Sequence, residues 1–178
     1  AHVIAALVVL LAACTKTGDV TISARATLAD SADQTMYGAR SLLTDRGLMR
    51  AELLADTAYF FDENTRIEMR RVHTTFYATN GARNAVLTSR EGTYNKRSGR
   101  MEARGDVVVV SEDGRRLTSP QLRFDQTRNE ISSDSAFVLT EPGRRLEGIG
   151  FISDPNMNNI RVLKGTKGTT GTFQIPNQ

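Results

Sequence analysis

Only one cysteine, Cys14, occurs in the 178 residues, so no internal disulfide can form. Aromatic residues make up 6% of the chain and hydrophobic residues 39%. One domain's core can be built from this, but it must be lean and mostly aliphatic. Beyond the first residues only His73 is available as a base. No Cys or His cluster has metal-ligand spacing. Neither a Gly-x-Ser-x-Gly elbow nor a phosphate loop occurs. These gaps speak against an enzyme, and no cofactor or metal is expected. Asp134 and Glu102 can be drawn as a glycosidase pair, but such carboxylates are ordinarily solvated strand positions. His73, in Arg70-Arg71-Val72-His73, reads as an exposed strand residue. No stretch sustains a 3.6-residue apolar period, which argues against a helical fold. Charge of one sign is also missing. The 23 basic and 20 acidic residues leave a net charge of +3 and are interspersed, as from Arg97 to Arg104. Interspersion marks a solvated sheet face rather than a nucleic-acid track, so no nucleic-acid partner is expected. The small basic excess suits an anionic lipid or membrane surface.

A repeat is present instead. Leu87-Thr88-Ser89, Tyr94 and Met101 are spaced seven and seven, and Leu117-Thr118-Ser119, Phe124 and Ile131 repeat that spacing 30 residues later. Asn95 and Asp125 follow the two aromatic residues as turn formers. Each unit therefore reads as a strand, a tight turn and a second strand. Leu53, Phe60 and Ile67 form an earlier copy. A degraded fourth begins at Leu146, with Phe151 and Ile152 as its bulk and Asp154-Pro155-Asn156 as its turn. One hairpin cannot bury its apolar face alone, whereas four in series can share one interior. A β-sandwich with chance spacing is the plainer alternative.

Residues 1–13 are apolar except for His2 and end in Leu11-Ala12-Ala13-Cys14. The length fits a signal-peptide h-region and falls short of a ~30 Å hydrocarbon core. The ending matches the bacterial lipobox, which makes Cys14 a lipid attachment point. A truncated membrane anchor is the rival reading. No initiator Met or basic n-region precedes the run, so further residues are expected upstream. Residues 14–35 are small and polar and read as a tether.

From Met36 onward, turn signals punctuate the chain: Asp45-Arg46-Gly47, Asp62-Glu63-Asn64, Asn80-Gly81, Asn95 to Gly99, Glu112-Asp113-Gly114, Asp125 to Asn129, Glu141-Pro142-Gly143 and Asp154-Pro155-Asn156. Strands of about 8–12 residues are expected between them. Within them Met101, Ala103, Gly105, Val107 and Val109 oppose Glu102, Arg104 and Asp106. Ile131, Ser133, Ser135, Phe137 and Leu139 likewise oppose Ser132, Asp134 and Ala136. One face is buried and the other wet, as in antiparallel sheets. Gly148 and Gly150 around Ile149 predict a bulge. The last regular strand is expected over Asn159–Leu163. Residues 164–178, rich in glycine and threonine, read as a flexible tail in which Phe173-Gln174-Ile175 offers one short strand.

These residues resemble a family. Ala55 to Phe60 leading to Ile67, Leu87 to Tyr94 with Met101 to Val107, Leu117 to Asp125 with Ile131, and Leu146 to Phe151 with Asp154 are together similar to LptC and its relative LptA. The match covers about Met36 to Leu163. It implies a twisted antiparallel β-jelly roll over 36–163 with an apolar interior that carries lipid A acyl chains. Subunits join end to end by strand pairing. The implied partners are lipopolysaccharide, an LptA-like periplasmic bridge protein and an inner-membrane ABC transporter complex (LptB/LptF/LptG-like). Many members keep an uncleaved transmembrane helix, and the lipobox departs from that pattern. The resemblance implies a periplasmic protein, and the lipobox a tether through N-terminal lipid on Cys14, with the inner membrane expected rather than the outer. Thr15 is not the aspartate associated with inner-membrane retention in enteric bacteria.

Groove-lining residues are expected at repeat positions (Phe60, Tyr94, Met101, Phe124 and Ile131) and at alternating ones (Val107, Val109, Phe137 and Leu139), with Leu122 and Phe151. A ~14-carbon acyl chain entering such a slot gains roughly 0.8 kcal/mol per methylene. Ile160, Arg161, Val162 and Leu163 are expected to form the partner-binding edge. A structural or adhesive envelope lipoprotein would need no hollow interior. A carbohydrate-active β-helix would need parallel coils, against which the hairpin turns argue.

Overall fold

Each seven-and-seven unit is a hairpin in the computed structural model, which describes residues 27–45 and 47–170. The expected leader, Cys14 and most of the tether lie outside the described residues, as does Phe173 to Ile175. A short helix, α1 (Leu28–Ser31), precedes nine strands: β1 (Gln34–Asp45), β2 (Leu48–Phe61), β3 (Arg66–Tyr77), β4 (Arg83–Asn95), β5 (Arg100–Ser111), β6 (Arg116–Asp125), β7 (Glu130–Glu141), β8 (Arg144–Ser153) and β9 (Arg161–Thr170). They form one antiparallel sheet in chain order, so every connection is between neighbours. The sheet is unclosed, with β1 and β9 at its edges.

The sheet extends past 36–163 at both ends. Gln34 and Thr35 already pair with Phe60 and Tyr59, so the end of the expected tether belongs to β1. At the other end Gly165 to Thr170 is strand rather than tail. Arg144 pairs with Thr170 and Ile152 with Arg161, so the full edge of β8 serves as a template. Its backbone groups outweigh the low strand propensity of two glycines, and the threonines suit a strand. The start also differs. Asn159 and Ile160 precede β9, because the Asn158 and Asn159 amides donate to the Asp154 carboxylate.

Seven is an odd number, so on a flat strand Leu87 and Tyr94 would face opposite sides. Both are nonetheless shielded, because β4 changes face midway. Ala85, Leu87 and Ser89 are buried, Arg90 and Glu91 are both exposed, and burial resumes at Gly92. The strands β2, β3 and β6 break phase at Asp56–Thr57, Arg70–Arg71 and Pro120–Gln121. β5 and β7 keep even spacing and absorb the difference as bulges against their neighbours. In β5 the bulge carries positive φ at Gly105 and Asp106. The register also slips at Gly148/Ile149, and Gly150 has φ 71°, so the expected bulge is present. A Cβ on Gly148 would stand 2.6 Å from Val162 and 3.0 Å from the Phe137 ring, which requires glycine there.

These breaks form a crease across the sheet, since bulges bend strands. Serine hydroxyls satisfy backbone groups along it. Ser89 Oγ donates to the Glu91 carbonyl at 2.9 Å, while Ser119 Oγ and Ser133 Oγ accept from the Gln121 and Ser135 amides. The serine of each Leu-Thr-Ser unit thus supports the bend. The crease folds the sheet onto itself. Arg115 sits in the β5–β6 turn at one end of the strands, and Met157 in the β8–β9 connection at the other. A flat ten-residue strand would separate these ends by ~33 Å, yet Arg115 Nη1 donates to the Met157 carbonyl at 3.1 Å.

Candidate functional site

The register turns the repeat into two continuous rows of interior side chains. One runs Phe60–Ile67–Tyr94–Met101–Phe124–Ile131 across β2 to β7. The other runs Leu53–Thr74–Leu87–Val109–Leu117–Leu139–Leu146 across β2 to β8. The rows lie on opposite sides of the crease. Between them stand Val107, Leu122, Phe137 and Phe151, the last two with ring centroids 4.8 Å apart. Every residue expected to line a groove is shielded. Val107, Val109, Leu122, Ile131, Phe137, Leu139 and Phe151 are buried, and Phe60, Tyr94, Met101 and Phe124 half-buried.

The interior divides into two clusters. The larger gathers Leu87, Val107, Val109, Leu117, Phe137, Leu139, Phe151 and Met157 with their neighbours. The smaller holds Ala39, Ala55, Ala58, Met69 and Val72 with Leu53, Phe60, Ile67 and Tyr94 against them. Sequence reasoning placed Leu53, Ile67, Leu87 and Leu117 in the repeat but not in the site, although the same spacing marks them. Met157 carries no periodic signal. The halves are in contact rather than parted: Phe137 and Leu139 are each 2% exposed and Phe151 0%.

The β9 edge contains Arg161, Val162 and Leu163, while Ile160 falls one residue outside it. Arg161 and Leu163 are exposed, and Val162 and Ile160 lean on the larger cluster. The opposite edge, β1, exposes Tyr37 and Leu42.

Among the described residues, the outer faces carry ion pairs. Glu102 accepts from Gln121 and pairs with Arg104 at 2.9 Å and Arg123 at 3.4 Å, while Asp134 pairs with Arg123. Hydrogen bonding to Asp134, against some burial, raises the Arg123 pKa, with further help from Glu102. Both candidate glycosidase carboxylates are thus engaged by arginine. His73 is exposed, opposite Leu54 and Thr88. Among the described residues no group of three acidic, His or Cys side chains is placed to hold a metal. A cleft of about 960 Å³ lies on the outer side of the crease, lined in part by Val108, Pro120, Val138 and Ile149.

In the β8–β9 connection, Asp154 accepts the amides of Asn156, Asn158 and Asn159 and the side-chain amide of Asn159. Burial opposes its ionisation, but these hydrogen bonds outweigh it and hold the carboxyl below the usual range. The carboxylate therefore stabilises this loop at and above ordinary carboxylate pKa values, and the contribution is lost as pH falls through the lowered one.

The profile described as "Lipopolysaccharide-assembly, LptC-related" matches residues 1–171. The chain belongs to the LptC family. Proteins of the LptC and LptA kind serve lipopolysaccharide transport in the periplasm and are not enzymes. The fold is similar to that of LptH from Pseudomonas aeruginosa, whose crystal structure is described as "the LptA homologous periplasmic component of the conserved lipopolysaccharide transport device". The TM-score is 0.54 at 13% identity, over 68% of this chain and 95% of that one. Likeness at that identity establishes the fold alone, an LptA-like antiparallel β-jelly roll. No curated protein matches the sequence. For this LptC-family chain, no helix among the described residues is long and apolar enough to cross a membrane.

Proposed function

We propose that this chain receives the acyl chains of lipid A between the two halves of its creased sheet and passes them to the next subunit of the transport bridge. The supporting observation is the pair of uninterrupted interior rows. They run across the strands from β2 to β7 and from β2 to β8, as a path from one sheet edge toward the other must. Acyl chains need a long apolar surface without directional chemistry. Each buried methylene contributes ~0.8 kcal/mol, so the interior binds the cargo without any reaction. The halves must part to admit it. A photo-crosslinking residue at Phe137 should capture lipopolysaccharide, whereas one at Asp134, on the outer face, should not. Equal capture at both positions would sink this assignment.

In this reading the donor is an inner-membrane transporter of the LptB/LptF/LptG kind and the acceptor an LptA-like protein docked on β9. The chain is held at the inner membrane through lipid on Cys14. Cys14→Ala should abolish metabolic labelling by a radioactive fatty acid and release the protein from the membrane fraction. Undiminished labelling of that variant would rule out the lipid anchor.

A further inference from the structure

Among the described residues, the β8–β9 connection is where hydrogen bonds from a single side chain tie the two ends of the folded sheet together. Arg115, in the β5–β6 turn, donates through Nη1 to the Met157 carbonyl at 3.1 Å and to Asn158 Oδ1 at 3.3 Å. Its other terminal nitrogen is 2.7 Å from Asp113, which fixes the guanidinium in the turn. Met157 is 5% exposed and belongs to the cluster that contains Val107, Phe137 and Phe151. It therefore occupies apolar space that an acyl chain entering the same interior would need. Methionine, unbranched and polarizable, is a good mimic of a short run of methylenes.

The loop is also under local stress. Met157 has φ 55°, a left-handed conformation that a residue with a long side chain rarely adopts. It is held there by the Asp154 hydrogen bonds to residues 156, 158 and 159 and by the Met157 amide donating to the Asp154 carbonyl. At the end of β8, one residue before Asp154, Ser153 Oγ is buried without a hydrogen-bond partner among the described residues. A strained residue, an unpaired hydroxyl and a contact between otherwise distant turns thus coincide in one short segment. Such local costs characterise elements that open before the rest of a fold.

We propose that Asp154 to Asn159 is a latch across the mouth of the folded sheet, with Met157 as an internal stand-in for the acyl chain and Arg115 as the clasp. This rests on the transport reading above. Loading requires Met157 to withdraw and the Arg115 bonds to part. The latch lowers apparent affinity by the fraction of time it stands open, and it keeps an unloaded interior from collecting other apolar molecules.

The test uses the full chain and a lipid A carrying a fluorescent acyl chain. Arg115→Gln and Met157→Ser should each bind the probe roughly tenfold more tightly than wild type, as removal of such a closing equilibrium allows. Arg116→Gln, at an exposed neighbour, should match wild type. A second arm works in the opposite direction. Asp113→Cys and Asn158→Cys, with Cys14→Ser, joined by a cleavable bismaleimide, should exclude the probe until the linker is cut. This arm does not depend on a destabilised variant. Unchanged affinity in Arg115→Gln and Met157→Ser, or full binding by the linked chain, would overturn the latch while leaving the transport reading intact. No probe binding by any chain, wild type included, would overturn that reading and the latch with it.

Discussion

Phe151→Ala should cost the fold about 3–5 kcal/mol and lower the melting temperature by roughly 10 °C. The Phe151 ring is wholly buried, meets Phe137 at 4.8 Å and sits opposite Ser133, itself 0% exposed. Ser133 is small and engaged by Ser119 and by the Ser135 amide, so it cannot swing in to fill the space. The lost transfer energy is then compounded by a cavity. Ile149, two residues earlier, is 53% exposed on the outer side, and Ile149→Ala should cost no more than about 1 kcal/mol. Thermal unfolding followed by circular dichroism compares the two directly. Similar losses would mean that the inner and outer faces of β8 are wrongly assigned.

The second large effect concerns the β9 edge. Val162→Pro removes a backbone donor and imposes a φ that the ladder does not favour. Binding to an LptA-like partner should fall at least tenfold, measured by pull-down. Sequence patterning alone predicts an intact fold for this variant. The structure adds a cost, because Val162 leans on the larger core cluster. A stability loss of about 1–3 kcal/mol is therefore expected as well. A chain ending at Gly165 separates the two effects. It keeps Val162 and its pairing with Phe151 but lacks the rungs from Thr166 to Thr170. It should stay folded and still lose most partner binding. Wild-type binding by Val162→Pro with its fold intact would place the docking edge elsewhere. Unfolding of both chains would make β9 an integral strand rather than a docking surface.

The hairpins were legible because their signal is local. A turn residue after Tyr94 or Phe124, with apolar positions seven residues to either side, specifies two strands and their closure without reference to the rest of the chain. The interior faces of β5 and β7 followed from simple alternation, which bulges in those strands left undisturbed. The crease was less legible although its mark was in view. An odd spacing between two shielded residues requires a change of face, and the serine after each Leu-Thr supplies the hydroxyl that makes the change tolerable. The end of β9 was misjudged because glycine content is a local property, whereas its pairing partner, β8, is a tertiary one. The Arg115–Met157 contact joins residues 42 apart with no periodicity between them, and only the folded sheet brings them together.

Neighbouring strands in a sheet are separated by about 4.8 Å, so the eight gaps among the nine described strands make a body ~38 Å long across the strands. Each repeat of one hairpin adds ~10 Å to that length. It leaves the transverse section unchanged, since the two rows and the crease simply gain another rung. The molecule is in this sense a ruler graduated in hairpins. Its reach follows from the number of hairpins and its calibre from the distance between the crease and the strand ends, so adding or removing a hairpin changes one dimension and leaves the other alone.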